Sequence, residues 1–280
     1  MVLKLSTVLS IQDAQFDAVV YKGNIDENIA RIAEIGYDGV ELAVRDPRLL
    51  DVGALERSLH KHNLAVPALG TGQAYGEENL SFTAVDSDVR ARAIARIKSH
   101  IKLAKRFDAL VILGLIRGVT PPGVGKVQAM RWLVHALREC SEYAAKEGVR
   151  LALEPINRYE TDLINMIEEG LLLLEQVASP YLGLLPDTFH MNIEEPSIER
   201  SIRRAGPAIF HFHVADSNRR YPGAGHLDFN GILRLLKEEL NYQGWISAET
   251  LPYPDPRTAA EQGLARLRAV LAADPLFHSG

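Results

Sequence analysis

Four short apolar runs in the second half of the 280-residue chain end on an ionisable residue: RLALE at Glu154, LGLLPD at Asp187, IFHFH at His213 and WISAE at Glu249. Two glutamates, an aspartate and a histidine are ligand types for a hard or borderline divalent cation. Each run reads as a buried strand, and each is followed by a loop and then a helical pattern. In a barrel of parallel strands with outer helices, all C-terminal strand ends converge on one face, where the chemistry sits. Side-chain alternation sharpens the pattern. Glu154 shares its face with Ala152. His211 and His213 lie together, with Phe210, Phe212 and Val214 opposite. Trp245, Ser247 and Glu249 oppose Ile246 and Ala248. One polar strand end is ordinary; four in succession on the axial face predict a site.

Other reactive residues cluster beside these ends. LEPINRYET (153–161) adds Asn157, Arg158 and Glu160 after Glu154, and Pro155 stops further ladder pairing. In LLPDTFHMNIEE (184–195), Asp187 and His190 are three apart, so a single turn can aim both at one ligand. HFHVADSNRR (211–220) places Arg219 in the loop after His213. His211 reads as a hydrogen-bonded barrel-interior histidine, with support of the site as the second option. His60, His62, His100 and His135 lie on helical patterns and read as surface or helix-packing residues, and His226 as a loop residue. Glu41, at the end of the second strand, reads equally as structural or as support for the site. Arg117 reads as a solvated arginine, with a phosphate or carboxylate contact as the alternative.

The elements that must position these residues alternate from end to end. Strands are expected near 2–9, 39–44, 65–70, 110–114, 150–155, 181–187, 209–215 and 245–250. Helices are expected near 25–36, 52–63, 86–107, 124–147, 166–178, 197–205, 229–240 and 257–273. Eight such pairs predict an α/β fold, a (β/α)8 TIM barrel forming a single domain over 1–280. A doubly wound sheet would carry a glycine-rich phosphate turn after its first strand, and the sequence has none there. Gly36, Gly148, Gly206 and Asn63 are the expected helix stops, and Asp86 and Asp228 the expected N-caps. The long loops 70–86 and 116–126 are candidate lids or binding loops.

Bulk properties narrow the partners. Apolar residues make up 47% of the chain and charged ones 24%, the balance of a soluble protein with a large core. A net charge of −5 and a pI near 6.0 lack the basic footprint that nucleic acid requires. No apolar run approaches the roughly 20 residues of a membrane helix. The opening MVLKLSTVLSIQDAQ reads as a first strand rather than a signal peptide. Cys140 is the single cysteine, so no internal disulfide forms, which suits a cytoplasmic location.

The patterns EPxNRxET from Glu154, DTFHMNIEE from Asp187, HVxDxNRRxPGxGxxD from His213 and the strand-final Glu249 resemble, in order and spacing, the ketose 3-epimerases of the D-tagatose/D-psicose type. That family lies within the xylose-isomerase-like barrels. A weaker likeness, including GYDGVELAV and ENLSF, covers nearly the whole chain. The resemblance implies an isomerase that interconverts C3 epimers of a ketose through a cis-enediolate. It implies one Mn²⁺, with Mg²⁺ or Co²⁺ as substitutes, on Glu154, Asp187, His213 and Glu249. It further implies Glu154 and Glu249 as the paired acid and base, Glu160, His190 and Arg219 as substrate contacts, and a homodimer or homotetramer. The apolar LLLL stretch at 171–174 agrees with such an assembly. Inverting C3 independently calls for two carboxylates, because a single base returns the proton to the face it left.

Where the family carries aromatic residues after the first and fourth strands, this chain has Ser6, Val8 and LGLIRG, so the preferred ketose does not transfer. The nearest rivals are a hydroxypyruvate or inosose isomerase and a ketose-5-phosphate 3-epimerase. A DNA-repair AP endonuclease of the same barrel needs further zinc-binding histidines after the third and fourth strands, where Gly70 and Gly114 stand. A non-catalytic sugar-binding barrel has no use for two opposed glutamates.

Overall fold

The computed structural model of the protein describes residues 3–13, 15–71 and 73–272. Val2 and Ala273, at the outer ends of the first expected strand and last expected helix, lie outside them. Eight parallel strands run Lys4–Ser10, Gly39–Ala43, Ala68–Gly70, Leu110–Leu113, Leu151–Leu153, Leu182–Leu184, Phe212–Val214 and Trp245–Ala248. Consecutive strands pair from the first to the sixth, and the eighth pairs with both the first and the seventh. The ring closes between the sixth and seventh strands through isolated bridges from Leu184 to Ile209 and from Asp187 to His213. There the N–H groups of Phe210 and His213 donate to the carbonyls of Leu184 and Pro186, each at 2.9 Å. The result is the (β/α)8 barrel that the alternation predicts.

The outer helices are Ile25–Ile35, Val52–Lys61, Ser87–Phe107, Lys126–Glu147, Ile167–Val177, Ile198–Ala205, Phe229–Arg234 and Pro256–Ala272. The seventh continues as a π-helical turn over Leu235–Glu239. Asp86 caps the third by accepting from Asp88 N–H at 2.8 Å, and Asp228 caps the seventh through the N–H groups of Asn230 and Gly231. Several strands end sooner than their apolar runs. Glu154 stands one residue past its strand, and Asp187 three residues past, as the N-cap of an unexpected short helix, Thr188–Glu194.

Outward-facing strand residues join the large core beneath the helices, among them Leu5, Leu42, Val111, Leu153, Leu184, Phe212 and Ile246. The axis is filled by Ala68, Leu110, Ile112, Ala152 and Leu185, with Phe210 against them. Phe210 was expected on the outer face. The strand's regular ladder begins only at Phe212, and across the irregular step at 210–211 both Phe210 and His211 turn inward. Gly183 makes room, since a Cβ there would lie 2.4 Å from the Phe210 ring.

The 70–86 loop contains a second unexpected helix, Gln73–Glu78. Glu78 pairs with the buried Arg96 at 2.7 Å, and Glu77 accepts the Gln15 backbone N–H at 2.8 Å. The loop is therefore fastened to the barrel and to the first strand's loop. The 116–126 loop opens on a single 3-10 turn, Leu115–Arg117.

Candidate active site and metal centre

The last four strands bring Glu154, Asp187, His213 and Glu249 together at the barrel mouth, with one ligand-type atom of each within 4.8 Å of the others. His213 Nδ1 lies 3.7 Å from Glu154 Oε1, 3.8 Å from Asp187 Oδ2 and 3.9 Å from Glu249 Oε2. Nδ1, Glu154 Oε1 and Asp187 Oδ2 are buried and have no hydrogen-bond partner. Lone pairs converging without a proton or cation between them are costly to bury. Atoms each about 2.1 Å from one ion stand roughly 3–4 Å apart, so this donor set fits a single divalent cation.

The far side of His213 sets its tautomer. Its Nε2 is 3.1 and 3.0 Å from the two oxygens of Glu41, and a carboxylate only accepts, so Nε2 carries a proton and Nδ1 is the nitrogen left to face a cation. His211 Nε2 donates to the same carboxylate at 2.8 Å, which makes His211 the hydrogen-bonded interior histidine that was expected. Glu41, left open between structure and support, is wholly buried beneath the site. Burial alone would raise its proton affinity, but His213 and His211 hold its carboxyl far below the usual carboxylate range. Glu249 goes the other way. Burial, with Glu154 and Asp187 beside it, pushes its pKa up to about 8 despite the opposing pull of His213 and Arg219. Burial works against a charge on His213 too, yet Glu41 and Glu249 raise its proton affinity well above normal. Without a cation, this anionic cluster holds protons in its place.

Above the cluster lie the residues expected to contact substrate. Arg219 donates to Glu160 Oε1 at 3.1 Å and reaches Glu249 Oε2 at 3.5 Å, with its guanidinium 4.7 Å from the Phe189 ring and 5.3 Å from that of Phe16. Its backbone is left-handed, at φ 60. The loop that carries it is organised by buried Asp216, which accepts the N–H groups of Ser217, Gly223 and Leu227. His190 Nε2 stands 3.8 Å from Glu154 Oε1, and its Nδ1 is 2.7 Å from Asn157 Nδ2. Asn157 Nδ2 also donates to Glu160 at 2.9 Å.

These groups open into a cavity of about 240 Å³. Its apolar wall is Val8, Phe16, Ala43, Ile112, Leu115 and Ile156, and Gln73 and Glu77 close it from the loop helix. Phe16, in the loop after the first strand, brings an aromatic ring to this wall. It sits six residues beyond Ser10, where a search at the strand end passes over it. Arg117 departs from the expected solvated position. It is fully buried rather than solvated, because its guanidinium serves the carbonyls of Gly114, Leu163 and Ile164. Burial lowers its pKa to about 10, with Glu154 and Glu160 opposing. The carbonyl of Ile164, a β-branched residue at φ 58, is one of those it holds. His226 stays in its loop, bonded to Ser217 Oγ at 2.9 Å, and His100 is a buried helix-packing residue.

Three contributors had no role assigned from the sequence: Asn157, Asp216 and Phe16. Asn157 and Asp216 lie inside the quoted motifs, at positions between the more obviously reactive residues. Their contribution depends on backbone N–H groups that no residue pattern displays.

Residues 29–270 match the family described as the xylose isomerase-like TIM barrel. An L-ribulose 3-epimerase of Methylomonas sp. is 32% identical over 225 residues, 79% of this chain and 77% of that one. A D-psicose 3-epimerase of Agrobacterium fabrum is 29% identical over 228 residues, 79% and 77% of the two chains. The crystal structure of a D-allulose 3-epimerase from Methylomonas sp. in complex with D-allulose superposes with a TM-score of 0.82 at 27% identity, over 96% of this chain and 97% of that one. Fold and acidic mouth together define the class, a xylose isomerase-like barrel. Within it, the chain belongs to the ketose 3-epimerase family, whose members are isomerases.

Proposed function

We propose that the protein is a metal-dependent epimerase that inverts C3 of a free ketose through a cis-enediolate. The observation that carries this reading is the convergence of three unpartnered, buried atoms, Glu154 Oε1, Asp187 Oδ2 and His213 Nδ1, on one point beside Glu249. Glu154, Asp187, His213 and Glu249 would hold one Mn²⁺, with Mg²⁺ or Co²⁺ able to substitute. When bound, the cation would supply Lewis acidity to the ketose.

The chain's own residues do the rest. Glu154 and Glu249 stand at the two ends of the arc formed by strands five to eight, the placement that a proton-abstracting and a proton-returning carboxylate need. One takes the C3 proton and the other delivers a proton to the opposite face. His190, Glu160 and Arg219 hold the oxygens of C1 to C3, and the apolar wall excludes water from the deprotonated sugar.

A free sugar is favoured over a 5-phosphate. Among the described residues lining the cavity, Arg219 is the only lysine or arginine, and it is already paired with Glu160 and Glu249. Glu41, Glu77, Glu154, Glu160 and Glu249 make the cavity acidic, and Arg117 is sealed beneath it.

A homodimer or homotetramer in the cytoplasm belongs to the same reading. Leu172, half exposed on the fifth helix, and the buried lone Cys140 support it. A stable 31 kDa particle in light scattering would refute the assembly. The function is tested with a panel of free and phosphorylated ketoses, using chelated and Mn²⁺-loaded protein, by chromatography of epimer pairs. Turnover of free ketoses only when metal is present is expected. Turnover confined to the phosphates, or unaffected by chelation, would overturn the reading.

A further inference from the structure

We infer that Asn157 is a positioning residue that locks His190 in the tautomer protonated on Nε2, so that the histidine presents the cavity with a hydrogen-bond donor. Only the consequence for catalysis rests on the epimerase reading; the tautomer follows from the hydrogen bonds themselves. The backbone N–H of Tyr159 donates to Asn157 Oδ1 at 3.0 Å. A backbone N–H has no other role, so this bond fixes which end of the amide is oxygen and which is nitrogen. The Nδ2 amino group then faces Glu160 Oε1 at 2.9 Å and His190 Nδ1 at 2.7 Å. The Glu160 carboxylate accepts, in agreement with that orientation. The backbone N–H of Asn157 approaches the same His190 Nδ1 at 3.5 Å.

His190 Nδ1 is thus met by two donors and no acceptor. It must present its lone pair, and the single ring proton resides on Nε2. Nε2 faces Glu154 Oε1 at 3.8 Å on the wall of the cavity, and His190 is 2% exposed, so bulk water does not reset the ring. A carbonyl or alkoxide oxygen of a bound ketose requires a donor at that place. The opposite tautomer would set a second lone pair against it and against the glutamates. Through Glu160, which also accepts from Arg219, the same amide ties the other substrate contacts into one network.

The test is long-range ¹H–¹⁵N NMR of ¹⁵N-histidine-labelled, Mg²⁺-loaded enzyme without sugar, with the His190→Gln spectrum assigning the signal. The expected result is a pyridine-like Nδ1 and a pyrrole-like Nε2 for His190. Asn157→Asp, which keeps the shape but replaces the donor by an acceptor, is expected to protonate Nδ1. It should lower kcat/KM about tenfold or more at unchanged metal content, the scale of one mis-set hydrogen bond. In a His190→Gln background, the same substitution should lose most of its effect, because the ring it acts through is gone. A pyrrole-like Nδ1 in the unsubstituted enzyme, or a fully additive loss in the double variant, overturns the inference. If Asn157→Asp does not fold, the spectrum of the unsubstituted enzyme decides alone. A pyridine-like Nδ1 in a protein that epimerises no ketose would sink the functional reading and leave the tautomer standing.

Discussion

Strands one to four and strands five to eight repeat the same βα unit, yet they deliver different side chains to the same mouth. The later half brings one ligand-type atom each of Glu154, Asp187, His213 and Glu249 within 4.8 Å of one another, with Glu160 and Arg219 in the loops beyond and His190 on the short helix Thr188–Glu194. The earlier half brings Val8, Ala43, Ile112 and Leu115, with Phe16, Gln73 and Glu77 from its loops. Because every parallel strand ends on one face, half a ring is enough to build a reactive cluster. The other half is then free to become the wall that fits a particular sugar. Glu41 is the exception: it belongs to the second strand, but it holds the Nε2 proton of His213 across the axis.

The comparison breaks first at the two glutamates. Replacing Glu154 or Glu249 by Gln should lower kcat by about a thousandfold or more, within the range of general acid–base contributions. Metal content must be measured alongside, since both residues also belong to the donor set. Retention of more than a tenth of the activity with full metal loading would show that the later half does not hold the acid and base.

A smaller effect sharpens the exception. Glu41→Gln should weaken metal binding by about 10- to 100-fold, the usual cost of losing a carboxylate behind a ligating histidine, with activity returning at high metal. Calorimetric titration checks this, and an unchanged affinity would reduce Glu41 to barrel packing.

The anionic arc should also shape stability. Glu249 and His213 have raised proton affinities when folded, so the stability they contribute is present at low pH and lost as pH rises through their folded pKa values. Glu41 and Glu154 are shifted downward, and their contribution fades only in acid. Chelated protein should therefore lose thermal stability as the pH rises from about 4.5, where the unfolded Glu249 carboxyl ionises, to about 8, where the folded one does, and added metal should remove that slope. A melting temperature that is flat or rises over that interval in the chelated protein would contradict the assigned shifts.

The smallest effect belongs to the earlier half. Phe16→Ala should alter the ratio of kcat/KM between two free ketoses by up to about tenfold, the scale of a modest change in pocket contacts, and leave metal affinity unchanged. A fall in metal affinity would mean that the wall and the cluster are not separable.

Much of this was legible in the residues. The eight βα units follow from periodicity, and the axial placement of Glu154, His213 and Glu249 follows from strand parity. Where parity was read across 210–211, it failed for Phe210, because an irregular step in the ladder leaves no mark in an apolar run. Arg117 was misplaced for a related reason. A lone arginine in a glycine-flanked loop looks solvated until the carbonyls of Leu163 and Ile164, more than forty residues away, are brought to it by folding. Phe16 and Asn157 were obscured by distance from a strand end and by dependence on backbone donors. The proposed metal ligands were easier to find because charge at the end of a buried strand is costly anywhere else.

Catalysis in D₂O is the most direct test of the central claim. With Mn²⁺-loaded protein and a ketose that it converts, deuterium should appear at C3 of the product and leave C1 essentially unlabelled. Label entering C1 while C3 remains protiated would contradict the account and identify an aldose–ketose isomerase instead.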